Sequence, residues 1–193
     1  RAWFESRDSA DVSCPVNLGN ACHTAAVGRR HWEHRAAMVV DSFSQASQVL
    51  RAVEHGKSAD GVHQGQAAKS PKLAWMFSDE DSQCVGTGES LYQSEPVFRE
   101  VVDEFHEQLW QSREGSLLEA MFHDQSMQSQ TDWSEPALFA LQAGLARLWQ
   151  SWGIEPDVVL GNGLGQYAAA CFAGVMTWED GFRLVATRSQ LIS

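Results

Sequence analysis

The 193-residue chain is short of positive charge: 14 lysines and arginines stand against 25 aspartates and glutamates, a net charge of −11. That deficit excludes the basic footprint of a nucleic-acid binder and argues against an anionic membrane surface. Long hydrophobic runs are missing as well; none approaches the roughly 18 residues of a spanning helix, and no signal-peptide pattern opens the chain. Cysteine is sparse, at Cys14, Cys22, Cys84 and Cys171. Without a C-x-x-C pair a zinc ribbon is disfavoured, and reduced thiols of a cytosolic protein are the better reading. A cytoplasmic location is therefore expected, with no cofactor. The first residue is Arg1 rather than methionine, so the sequence is expected to be a piece of a longer polypeptide. No internal repeat or low-complexity tract occurs. An apolar fraction of 44% suits one or two small globular domains.

Element signals are clear along most of the chain. Residues 1 to 20 read as irregular, and a short helix follows, ended by Gly28. Arg35 to Val40 reads as a strand. Ser42 with Gln45 is a capping-box pattern, and Phe43, Ala46, Val49, Leu50 and Val53 form the stripe of the helix it opens. Residues 56 to 71 read as a hinge or short strand, with a domain boundary near Pro71. Lys72 to Phe77 is apolar enough for a buried parallel strand, and an acidic loop, Ser78 to Gln83, comes next. Ser94 before Pro96 predicts a helix carrying Val97, Val101, Phe105 and Leu109. Leu117 to Phe122 is a shorter helix, and Gln125 to Gln130 a polar loop. Ser134 before Pro136 predicts a helix with Leu138, Leu141, Leu145, Leu148 and Trp152 on one face, stopped by Gly153 and Pro156. Thr177 with Asp180 caps the last helix, with Phe182, Leu184 and Val185 apolar and Arg188 one turn beyond.

The most informative stretch is Pro156 to Ala170. Val158 to Leu160 reads as a buried strand, Gly161-Asn162-Gly163-Leu164-Gly165 as a tight turn, and the alanines after it as a helix. The turn has the small flanks of a nucleophile elbow, but Gly163 stands at its apex and Asn162 before it, neither with a hydroxyl or thiol. A dinucleotide loop is the alternative; it wants a small residue where Gln166 stands and a following strand ended by an acid. A plain strand-turn-helix is the third reading. Elsewhere, Cys22, His23, His31 and His34 suggest a metal site, but the ligand spacing is wrong and side chains flanking a strand are the simpler reading. Asp79-Glu80-Asp81 lacks the EF-hand pattern and reads as solvated.

Several stretches resemble the acyltransferase domains of modular type I polyketide synthases. They are Thr131-Asp132-Trp133-Ser134-Glu135-Pro136-Ala137-Leu138-Phe139-Ala140-Leu141, Leu148 to Gly161, Tyr167 to Val175, and Phe182 to Arg188. The resemblance implies a partial α/β-hydrolase-like acyltransferase core over residues 71–193, lacking its ferredoxin-like subdomain. It also implies a small α/β linker domain over residues 1–70, of the kind that joins a ketosynthase to its acyltransferase; Gly28 to Arg35 carry that likeness.

Such domains load malonyl-type units from coenzyme A onto an acyl carrier protein through an elbow serine. This sequence departs from that pattern. The elbow, usually Gly-His-Ser-x-Gly-Glu, reads Gly161-Asn162-Gly163-Leu164-Gly165-Gln166, and the loop, usually Gly-Gln-Gly-Ser-Gln, places Glu80 where the oxyanion glutamine belongs. An anion beside a developing oxyanion is repulsive. Arg188 matches the carboxylate-binding arginine; a retained helix-surface or core-edge arginine is the alternative. From these departures the expectation is a non-enzyme: a remnant that serves as structural adaptor or docking element. Its partners would be neighbouring synthase domains, a carrier protein or a trans-acting acyltransferase. The alternative is half of an acyl-coenzyme A binding or acyltransferase site completed by another segment or chain.

Overall fold

The computed structural model describes residues 17–57, 60–67, 72–79, 85–111 and 115–193. The chain divides into two compact units, Arg1–Pro71 and Lys72–Ser193.

The first unit contains α1 (Leu18–Val27), β1 (His34–Met38), α2 (Phe43–Glu54) and β2 (Val62–Gln66). Helix α1 starts before the expected position because the Asn17 side chain caps it, accepting the Gly19 N–H at 2.7 Å. Ser42 caps α2 as its sequence predicts, with its hydroxyl accepting from the Gln45 amide at 3.2 Å. The stripe on α2 buries Ala46, Ser47 and Val49. Strands β1 and β2 pair antiparallel, from His34 opposite Gln66 to Met38 opposite Val62. Around the suggested metal residues, His31 Nε2 bonds the Ala26 carbonyl at 2.6 Å, and no cluster of three ligating side chains forms among the described residues.

The second unit runs β3 (Ala74–Phe77), α3 (Glu89–Ser94), α4 (Pro96–Trp110), α5 (Leu117–Phe122), α6 (Gln125–Gln128), α7 (Thr131–Ser151), β4 (Val158–Gly161), α8 (Gly165–Phe172) and α9 (Trp178–Ile192). Helix α7 is its axis. From Glu135 to Gly144 every residue is buried, so this segment has no solvent face, and α4, α5, α8 and α9 all pack on it. Phe105 of α4 and Phe182 of α9 stack with centroids 4.5 Å apart, and Phe139 of α7 meets both. Gly144 lets α4 and α7 approach; a Cβ there would sit 2.7 Å from the Phe98 ring.

Several details differ from the sequence expectation. Ser94 ends α3 instead of capping α4, its hydroxyl donating to the Ser90 carbonyl; Glu95 precedes Pro96 without a side-chain cap. Residues Gln125–Gln128 form a helical turn because Asp124 accepts the Ser126 and Met127 amides; the Ser126 hydroxyl, which also donates to this carboxylate, and then the two amides hold it below the usual range. Helix α7 begins at Thr131, so Pro136 is internal and Ser134 is no cap. Pro136 cannot bond the Asp132 carbonyl, which the buried Ser189 hydroxyl of α9 approaches at 3.5 Å instead. Trp152 and Leu184 point outward, 54% and 46% exposed.

Strands β3 and β4 pair in parallel, in register from Ala74 opposite Val158 to Phe77 opposite Gly161. They are not buried on both faces as expected. Phe77 is buried, with Trp75 and Val159 packed against the same core, whereas Met76, Val158 and Leu160 are exposed. Helices cover only one side of this pair among the described residues. No described helix is long and apolar enough to cross a membrane.

Candidate functional site

The site is assembled where the two parallel strands end. Asp157 staples the start of the pair: its carboxylate accepts the Leu73 N–H and its own N–H donates to the Leu73 carbonyl, both at 2.8 Å. At the other end the Asn162 N–H donates to the Phe77 carbonyl at 3.0 Å, after which the chain turns into α8. The sharpness of this turn explains its glycines. A Cβ on Gly161 would run into the Gln166 backbone, and one on Gly165 into the Phe77 carbonyl. Gly163, at the apex, has φ +51°, the left-handed conformation that side chains disfavour. Its position is also filled: a Cβ there would overlap the Asp79 carboxylate.

Asp79 comes from the loop after β3. Its Oδ1 accepts the Leu164 N–H at 3.1 Å, across the apex. The loop is held by Gln142, whose amide on the buried axis helix donates to the Ser78 carbonyl at 2.7 Å. Over the turn opens a pocket of ≈ 460 Å³, lined by Asp79, Gly163, Leu164, Gln166, Tyr167 and Arg188 among others.

Arg188 reaches this pocket from α9. Its guanidinium pairs with Glu135, the one charged side chain buried among the described residues, while the arginine keeps 39% of its side-chain surface exposed. The pair fixes the guanidinium at the pocket wall. A second cavity, ≈ 500 Å³, is lined by Glu100, Glu104, Arg147 and Trp178 among others and shares no lining residue with the turn.

Of the residues singled out from sequence, Gly163, Gln166 and Arg188 come together around one pocket. Asn162 stays exposed beside it and contributes backbone bonds, its carbonyl accepting from Gly165 at 2.9 Å. Glu80 lies outside the described residues. Sequence reasoning missed Asp79 and Glu135. The signal for Asp79 was available once β3 and β4 are taken as neighbours: with Phe77 opposite Gly161, residues 79 and 163 both lie two places beyond the last pair. Cys171 on α8 offers no substitute nucleophile. It is buried, its thiol donates to the Thr177 carbonyl at 3.4 Å, and burial pushes its pKa up to about 11, which leaves roughly one thiol in ten thousand ionised at neutral pH.

Residues 74–193 match the acyl transferase domain family, and residues 12–50 match a family described as CurL-like, PKS C-terminal. The chain is 35% identical over 179 residues to the PKS-NRPS hybrid synthetase acdB of Aspergillus candidus, covering 90% of this chain and 7% of that protein. The solved acyl transferase domain of ZmaA superposes with a TM-score of 0.87 at 30% identity, covering all of this chain and 44% of that one. A malonyl-transacylase solved in complex with a type II PKS acyl-carrier protein aligns with a TM-score of 0.58 at 28% identity, covering 63% of this chain and 38% of the other. The fold is thus the α/β fold of a polyketide synthase acyltransferase domain, spanning about half of its length. These matches overturn the expectation that the chain is no enzyme. Matching family and solved neighbours are acyl transferases, and nothing in them shows that the activity has been lost. Reading Gly163 and Glu80 alone gave too much weight to single side chains, when the strand, turn and helix that build such a site are all in place.

Proposed function

The chain belongs to the acyl transferase domain family, and from that premise we propose that it supplies the acyl-binding half of a malonyl-type acyltransferase site in a polyketide synthase. Another segment or chain completes the site. The observation that supports this reading is Arg188, anchored by Glu135 at the wall of the pocket over the turn. A guanidinium presents its donors as a planar fork, a geometry suited to the carboxylate of a malonyl group. Gly163 has no hydroxyl to form an ester. In this reading the chain binds and orients the acyl group, and the nucleophile and base come from residues beyond the turn. An acyl carrier protein and the neighbouring synthase domains are the partners, and the cytoplasm is the location. The residue assignment that follows is a linker domain over 1–70 and the N-terminal part of the acyltransferase over 71–193. A second reading, docking of a neighbouring synthase segment, draws on the exposed apolar face of Met76, Val158 and Leu160.

Calorimetry with malonyl-coenzyme A tests the first reading. Arg188→Ala alone would strand a buried carboxylate and cost stability, so the informative variant is Glu135→Gln with Arg188→Gln. We expect it to bind malonyl-coenzyme A at least tenfold more weakly than the parent while acetyl-coenzyme A, which has no free carboxylate, is unaffected. Equal malonyl-coenzyme A binding by parent and variant would count against the assignment.

A further inference from the structure

The pocket over the turn already contains a carboxylate, and it belongs to the chain itself. Asp79 and Gly163 sit level because their strands are in parallel register, each two residues past the Phe77–Gly161 pair. The Asp79 carboxylate does two things there. It accepts the N–H of Leu164, the residue immediately after the apex. It also fills the volume that any side chain on residue 163 would enter, since a Cβ at Gly163 would overlap the carboxyl group. In a strand-turn-helix elbow, the N–H after the apex is a donor that meets the negative charge of a bound or reacting group. Here that donor meets Asp79.

We propose that Asp79 is a built-in occupant of a carboxylate subsite at this turn: it holds the Leu164 N–H, excludes an external carboxylate from the apex, and requires glycine at position 163. Two carboxylates cannot share one donor without repelling each other, and the repulsion is strong where water is partly excluded. An external carboxylate therefore enters only when Asp79 leaves. The same geometry makes residues 79 and 163 interdependent, because space at the apex opens only when the aspartate is shortened. The inference does not rest on the acyl reading; it concerns what the turn itself will accept.

Malonate is the probe. Titration of the full chain, followed by the amide resonance of Leu164 and by calorimetry, compares the parent with Asp79→Ala and with the near-isosteric Asp79→Asn. The expected result is at least tenfold tighter malonate binding in Asp79→Ala, a smaller gain in Asp79→Asn, and a Leu164 amide shift in both. Should Asp79→Ala fail to fold, Asp79→Asn carries the measurement, because it keeps an acceptor for Leu164. A second measurement sets Gly163→Ala in the parent against Gly163→Ala in Asp79→Ala. The strain of the left-handed φ is common to both and cancels, so the loss in thermal midpoint should be clearly smaller when Asp79 is absent. Unchanged malonate binding in both Asp79 variants, or an equal cost of Gly163→Ala in the two backgrounds, would overturn the inference. The acyl reading is judged separately, by malonyl-coenzyme A binding to the Glu135 and Arg188 double variant, so either idea can fail without the other.

Discussion

Two pairs of strands occur among the described residues, and they are made of different material. In the antiparallel pair, β1 is His-Arg-Ala-Ala-Met and β2 is Val-His-Gln-Gly-Gln; only Met38 and Val62 at one end are even partly shielded. Its coherence comes from the backbone ladder, with a little help from polar edges such as the Gln66 amide on the Glu33 carboxylate at 3.2 Å. In the parallel pair, Trp75, Phe77 and Val159 pack into the core, and Phe77 and Trp75 both meet the Phe172 ring of α8. The first pair can lose a side chain without opening a cavity. The second cannot, and it is the second that positions the turn, Asp79 and α8. The candidate site sits on the pair whose geometry is tied to a packed core.

Phe77 carries most of the difference between the two pairs. Truncating a buried phenylalanine costs about 3–5 kcal/mol in lost burial and residual cavity. Phe77→Ala should lower the unfolding free energy of the second unit, read from urea titration, by an amount of that order. The same substitution should also loosen the Asp79–Leu164 contact, since residue 77 anchors the loop that carries Asp79. A truncation in the antiparallel pair, such as His63→Ala, should stay within about 0.5 kcal/mol. If both cost the same, the core does not discriminate between the two pairs and the argument fails.

A smaller loss is expected in the first unit. With only three buried residues on α2, this unit relies on local devices more than on packing. Ser42 is one of them, and Ser42→Ala should cost about 1 kcal/mol, read as a drop in the midpoint of the first unit with the second unit unmoved. Ser42→Gly should cost only a few tenths. An alanine variant as stable as the parent would mean that tertiary contacts, not the cap, start this helix.

What could be read from the sequence follows the same division. Signals confined to a few neighbouring residues were legible: the Ser42 and Thr177 caps, the stops at Gly28 and Gly153, and the strand-turn-helix around Gly163. Signals that needed a distant partner misled. Ser134-Glu135-Pro136 looks like a helix start, yet the helix begins a turn earlier, where the carbonyl freed by Pro136 meets Ser189, 57 residues away. Arg188 stands out in the sequence, but Glu135, which pairs with it, is 53 residues distant and nothing local announces it. Asp79 looked like one of three solvated acids until strand register put it across from Gly163. Polyketide synthase membership was legible through motifs. The step from a missing hydroxyl to a missing activity was not, because the fold that builds an acyl-transfer site is more widely distributed over the chain than any one side chain.

The smallest expected effect belongs to the uncovered face of the parallel pair. Met76 is 74% exposed and Leu160 51%. Replacing a surface residue away from caps and core changes stability by less than about 0.5 kcal/mol. Met76→Lys should therefore leave the urea midpoint of this chain almost where it is, although Phe77 beside it on the opposite face is intolerant. Alternation along a single strand would then separate the largest effect from the smallest. A cost of 2 kcal/mol or more at Met76 would mean that the face is covered in solution. If that cost falls on dilution, the cover is a second copy of the chain; if it does not, it lies within the chain itself. Either outcome would move this strand from the half-covered class to the buried one and remove the surface on which the docking reading depends.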